Sequence, residues 1–220
     1  MAAVLIIPGL GGSPEQHWQT HLERARPGAT RVEQEDWDNP RLSAWLERVA
    51  AAVARNPGAI LVAHSLGCAL VAHLAQREPR LPIGAALLVA PADVDSARHT
   101  PDCLRGFAPV PTARLPFRSV LVGSRNDPYM TFARARALSF VWGASFVDAG
   151  AAGHINIDSG FGPWPEGNRL LAQLAAEDGA RRPAPWREGF PLPAAGRAEV
   201  PHHGGANFER SIHSNVRGAT

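Results

Sequence analysis

Ile60-Leu61-Val62-Ala63-His64-Ser65-Leu66-Gly67-Cys68-Ala69-Leu70 is the stretch on which the reading of this chain turns. An apolar run ends at His64, a serine follows, and the periodic face Leu66, Leu70, Val71, Leu74 opens directly after it. The pattern predicts a strand, a tight turn and a helix, with small residues (Ala63 and Gly67) two positions before and after the serine. That is the G-x-S-x-G nucleophile elbow with Ala in place of the first Gly. The serine must sit in a strained turn for its hydroxyl to project above the sheet edge, which leaves no room for large side chains at the flanking positions. The turn also puts Ser65 at a helix N-terminus, where main-chain N–H groups carry partial positive charge. The Leu66 N–H is therefore expected to face a developing oxyanion. His64 is expected to point away from Ser65, into packing or a backbone hydrogen bond.

Outward from the elbow, short apolar runs alternate with helical stripes. Strands are expected at Val4–Ile7, Arg31–Gln34, Ile60–Ala63, Ala85–Val89, Ser119–Val122 and Ser145–Val147. Their lack of polar alternation suits a parallel sheet buried on both faces. Helices are expected between them. One is capped at Ser13 with Pro14 at its first position. The next carries Leu42, Trp45, Leu46, Val49 and Val53 on one face. Another bears Phe132, Ala135 and Leu138 behind Thr131, and the last bears Leu170, Leu171 and Leu174 and starts at Pro165. Such βα alternation implies an α/β fold. Pro91–Pro116, the longest connection, is either a small cap over a pocket or an ordinary link with one short helix.

Composition narrows the function classes. The chain has 220 residues, 45% of them apolar and 19% charged, with net charge +2. That is enough for one domain with a core. All of its formal positive charge is Arg, scattered along the chain, so nucleic acid is not expected as a partner. Cys68 and Cys103 match no metal-ligand or disulfide pattern, and no metal or cofactor is expected. Met1–Pro8 lacks a basic n-region and reads as a strand rather than a signal peptide. No apolar run has the length of a membrane span. A cytoplasmic location with no membrane partner follows as an expectation. The domain is expected over residues 1–180. Residues 181–220 hold five Pro and five Gly with no sustained period, and are expected to be a disordered tail. His202-His203 within it is too little for a metal site.

Pro8-Gly9-Leu10-Gly11-Gly12-Ser13 follows the first strand. An elbow of this kind needs a second oxyanion donor from the loop between a central strand and the next helix, and Leu10 N–H is assigned to it. Phosphate binding fails on detail. Pro14 stands where the last Gly of G-x-G-x-x-G belongs, and a Walker loop needs a Lys that this chain lacks. The expected acid is Asp127, in Gly123-Ser124-Arg125-Asn126-Asp127-Pro128, directly after a strong strand. The expected base is His154, in Gly153-His154-Ile155-Asn156, after the last strand and before the tail. Their order, Ser65, Asp127, His154, is that of α/β hydrolases. His17, Trp37, Tyr129 and Trp164 are candidate pocket residues, with core packing as the alternative for the tryptophans.

Several stretches together resemble the small serine hydrolases grouped with the retinoblastoma-binding serine hydrolase, in its bacterial predicted-esterase branch. They are the Pro8–Ser13 loop with His17-Trp18, the Asp36-Trp37 pair, the Ala63–Gly67 elbow, Asn126-Asp127-Pro128-Tyr129, and Gly153-His154-Ile155-Asn156 through Ser159–Pro165. The resemblance covers roughly residues 3 to 178. It implies a compact α/β-hydrolase fold and a triad at Ser65, Asp127 and His154, with esterase and aminopeptidase activities both in view. The chain itself lacks a large lid insertion, which suits a small-molecule acyl substrate. An aminopeptidase would need a carboxylate for the free amine; Asp36 is a candidate, with a solvated strand-end carboxylate as the alternative reading. The family's name points to a protein partner, so a catalytically idle binding scaffold is the alternative from another class.

Overall fold

The computed structural model describes residues 2–176 of the chain. Six strands form one sheet: β1 (Val4–Ile7), β2 (Ala29–Arg31), β3 (Ala59–His64), β4 (Ile83–Val89), β5 (Arg118–Gly123) and β6 (Ser145–Asp148). Their order is β2-β1-β3-β4-β5-β6, and every neighbouring pair is parallel. Among the described residues five α-helices connect and follow them: α1 (Trp18–Ala25), α2 (Leu42–Arg55), α3 (Leu66–Arg77), α4 (Phe132–Trp142) and α5 (Pro165–Ala176). The sheet is wholly parallel with helices on both faces, and among the described residues no large lid covers it.

Successive strand residues point to opposite faces, and each face is buried. Val4, Ile6, Ile60, Val62, Leu87 and Val122 pack with Trp18 and Leu22 of α1 and Leu171 and Leu174 of α5. Leu5, Ile7, Leu61, Ala63, Leu88 and Leu121 pack with α2, α3 and α4. This explains why the strands read as unbroken apolar runs. Truncating such a side chain, Leu61→Ala for example, costs about 2–5 kcal/mol.

The connection after β4 carries only a short 3-10 helix, Asp102–Phe107, and its Val94, Leu104, Phe107, Val110 and Leu115 are buried in the α2–α4 side of the core. It is an ordinary link rather than a cap. Among the described residues no helix is long and apolar enough to cross a membrane. The expected boundary at residue 180 and the segment 181–220 lie outside the described residues.

Two element boundaries correct the sequence reading. α1 starts at Trp18 with His17 as its cap, not at Ser13. The Ser13 hydroxyl donates instead to Gln19 Oε1 at 2.6 Å, and the Ser13 carbonyl accepts from Thr20 Oγ1 and Arg31 Nη1. The serine is thus tied to α1 and β2 by tertiary bonds that outweigh its local capping tendency. β2 ends at Arg31, where Arg31–Gln34 was expected. It pairs only with β1, whose last residue Ile7 runs into Pro8, so the chain after Val32 N–H has no strand left to pair with.

The strand order places the site. From β1 the chain moves outward to β2, then returns to β3 on the other side, and continues outward to β4. Loops leaving β1 and β3 therefore diverge and open a crevice at their C-terminal ends, the topological switch point. Buried Gln19 braces this point. Its Nε2 donates to Val62 O at 3.0 Å and Ile7 O at 3.4 Å, bonding both strands next to their ends.

Candidate active site

Ser65 stands between β3 and α3 with φ 55° and ψ −121°. A non-glycine residue there costs about 1–3 kcal/mol and persists only where its surroundings fix it. They do so here. Ser65 N–H donates to Val89 O at 3.1 Å, extending the ladder to β4, and Ser65 O accepts from Cys68 N–H at 3.0 Å inside the new helix. The need for glycine at position 67 is steric: a Cβ there would lie 2.4 Å from Ile7 O and 2.8 Å from Pro8 O. The helix packs hard against the end of β1. Gly9 is constrained likewise, since its Cβ would fall 2.8 Å from Ser65 Cβ and 3.2 Å from Leu66 N. The loop after β1 thus lies directly against the serine and the first amide of α3. Among the described residues neither Leu66 N–H nor Leu10 N–H has a main-chain acceptor.

Two loops converge on the serine from the other side of the sheet. His154 Nε2 lies 2.9 Å from Ser65 Oγ. His154 Nδ1 lies 3.0 Å from both Oδ1 and Oδ2 of Asp127. A carboxylate only accepts, so Nδ1 carries the proton and the lone pair of Nε2 faces the hydroxyl. The side chains of His154 and Asp127 are 6% and 3% exposed, while Ser65 is half-buried. Asp127 Oδ1 also accepts from Tyr129 N–H at 2.8 Å.

The two loops are stitched to each other. Ser124 Oγ donates to Asn126 Oδ1 at 2.9 Å and accepts from Ala152 N–H at 3.0 Å. Asn126 Oδ1 also accepts from Gly153 N–H at 2.7 Å, and Arg125 N–H donates to Gly150 O at 2.7 Å. His154 N–H donates to Ser159 Oγ at 3.0 Å. Ser124, Asn126 and Ser159 went unassigned in the sequence, where Ser124 and Asn126 look like ordinary turn formers before Asp-Pro. Only their position beside the expected acid marks them.

The pocket candidates separate. The Tyr129 ring lies 4.4 Å from the His154 ring and is half-buried, with its hydroxyl pushed up by burial and by Asp158 and Asp127. Trp37 is half-buried at the loop after β1: its carbonyl accepts from Gly11 N–H, and its ring meets Trp45 edge-on at 5.5 Å. Trp164 is buried edge-on against Trp18 at 5.1 Å, within the core rather than at the crevice. His17 is also buried and caps α1, accepting from Gln19 N–H at Nδ1. Burial, helped by Arg31 and His154, lowers its pKa to about 4. Asp36 lies exposed in a turn, accepting from Asp38 N–H, Asn39 N–H and Asn39 Nδ2, bonds that hold its carboxyl below the usual range. Cys68, the one thiol close to the elbow among the described residues, is fully buried, which raises its pKa far above the ordinary thiol value and leaves it unreactive. Among the described residues no three His, Cys, Asp or Glu side chains gather where they could hold a metal ion.

Residues 4–173 match the family model described as serine hydrolase. No curated protein matches the chain. Among solved structures, a YdeN-like hydrolase of Pectobacterium atrosepticum is 31% identical, with 81% of this chain and 92% of that one covered and a TM-score of 0.71. The ydeN gene product of B. subtilis is 21% identical, with 80% and 100% covered and a TM-score of 0.64. Est1E of Butyrivibrio proteoclasticus, solved with ferulic acid bound, shares the fold at 13% identity and a TM-score of 0.61, with 80% and 90% covered. The sheet, the strained serine and the family match over most of the domain lead to one conclusion: the chain belongs to the serine hydrolase family, of the α/β-hydrolase type.

Proposed function

We propose that this hydrolase cleaves carboxylic esters of small acyl substrates, with Ser65 as nucleophile, His154 as general base and acid, and Asp127 as the residue that orients His154. The observation that carries this reading is the unbroken hydrogen-bonded path from Ser65 Oγ through both His154 nitrogens to Asp127. In the first half-reaction Ser65 Oγ attacks the acyl carbon and its proton passes to His154 Nε2. The carbonyl electron pair moves onto oxygen, where the Leu10 and Leu66 N–H groups receive it. Asp127 stabilises the imidazolium without taking its proton. Collapse expels the alcohol, which leaves with the proton from Nε2 and leaves an acyl ester on Ser65. Water then attacks that ester with His154 again as base, and the acid is released.

The ester reading is favoured over an aminopeptidase by Asp36. Asp36, the carboxylate considered for a free α-amine, is engaged instead by its own turn in an exposed loop. The test is a panel of p-nitrophenyl esters against aminoacyl anilides, run on the wild type and Ser65→Ala. Ester turnover is expected to dominate, and the variant is expected to lose about 10⁴-fold or more in kcat. Dominant anilide cleavage would move the assignment to aminopeptidase. A variant that keeps most of its activity would remove Ser65 from the chemistry.

A further inference from the structure

We propose, resting on the assignment of Ser65 and His154 as nucleophile and base, that His64 is a positioning residue whose Nε2–H clamps the main-chain carbonyl of His154 and sets the reach between the two reacting side chains.

His64 is the last residue of β3 and is bonded through its own backbone to the nucleophile. It is registered against Val89 of β4, and Ser65 N–H bonds the same Val89 carbonyl, so both residues are referenced to the sheet. The base has no such support. His154 lies in a loop between Gly153 at φ 55° and Ile155 at φ 50°, outside any regular element. Its side chain is held by Asp127, which itself lies on a loop. What ties its backbone to the sheet is the His64 side chain: Nε2 lies 2.9 Å from His154 O. A carbonyl only accepts, so that nitrogen carries the proton. One residue further on, Trp18 Nε1 donates to Ile155 O at 2.9 Å. Two consecutive carbonyls of the base loop are therefore gripped by buried ring N–H donors, one of them adjacent in sequence to the serine.

The surroundings suit a donor that never changes state. The His64 ring has His17 at 4.9 Å, His154 at 4.9 Å and Trp18 edge-on at 5.9 Å. Burial, with His154 and His17 beside it, holds its pKa well below the ordinary range. It stays neutral while His154 takes up and returns a proton, so no second imidazolium competes with the first. A reach error of about 1 Å between reacting groups can cost about 10²-fold, which is the scale at stake in the clamp.

His64→Leu and His64→Gln separate this role from packing. Gln can return an N–H near the position of Nε2, whereas Leu fills part of the ring's space and returns no donor. The expected result is Leu about 10–100-fold down in kcat with KM changed less than about threefold, in protein that remains folded by its Tm. Gln is expected to recover most of that kcat. Equal kcat for Leu and wild type, or Leu ahead of Gln in kcat, would overturn the proposal. If neither variant folds, ¹⁵N-resolved NMR of the wild-type imidazoles decides. His64 is expected as the Nε2–H tautomer, staying neutral through the range in which an ordinary imidazole titrates. An Nδ1–H tautomer, or a titration in that range, would overturn it. A wild type without esterase turnover or probe labelling would instead defeat the hydrolase reading itself, and the NMR result would stand independently of that failure.

Discussion

His17 starts α1 with an imidazole nitrogen rather than the hydroxyl of Ser13. The same ring is buried near His64, and its proton affinity is lowered to about 4 from the ordinary 6.5. The consequence for stability has a definite sign. Below about pH 6.5 the unfolded chain binds a proton at His17 that the folded chain does not take until about pH 4, so stability falls as the pH drops through that window. The size is of order 3 kcal/mol for His17. His64, lowered in the same direction, steepens the fall. His17→Asn keeps an N-cap acceptor and removes the titration. Its Tm measured from pH 7 to 4 is expected to fall less steeply than that of the wild type, and an unchanged slope would contradict the assignment. Residues of this kind were only half legible. His17 and Trp164 looked like pocket residues because they sit in motif loops. The structure turns both inward, since an aromatic ring beside a loop is as ready to fill core as to line a crevice. For His64 the expectation was packing or a backbone bond, but its partner, 90 residues away, had no local signature.

At the scale of elements, the meeting of β1 with α3 decides whether the elbow can form. Gly67 is packed so closely on Ile7 O and Pro8 O that one added carbon cannot be accommodated without moving the strand end or the helix. Gly67→Ala is expected to destabilise the protein by about 1–3 kcal/mol or more, measured by urea unfolding. Activity is expected to fall too, because the displaced helix carries the Leu66 amide. A variant with wild-type stability would show that the contact is slack. The sheet itself could be read because both faces are buried and each strand leaves an apolar run. The exceptions are instructive. β2 is an edge strand paired over three residues, so burial hardly marks it, and its expected position was displaced toward Val32. The start of α1 was misplaced because a local capping signature lost to the bonds of Ser13 with Gln19, Thr20 and Arg31. Thr131, with no such competing partner, caps α4 as its sequence suggests, accepting from Arg134 N–H at 3.2 Å.

Across the whole molecule, residues 65, 127 and 154 come from three separate crossings of the sheet and meet at its C-terminal edge, at the place where the strand order reverses. Their order along the chain was legible; their distances were not, because these depend on the bonds of Ser124 and Asn126 that join the acid loop to the base loop. The electrostatic logic is also collective. A buried neutral His64, a buried Asp127 and a proton on His154 Nδ1 leave one basic nitrogen aimed at one hydroxyl. That hydroxyl should then react far faster than any other in the protein. Mass spectrometry after brief treatment with a fluorophosphonate measures this directly. The account predicts a single adduct per chain, mapped to Ser65 and absent from Ser65→Ala. A folded wild-type protein that stays unlabelled, or one labelled at another residue, would contradict it.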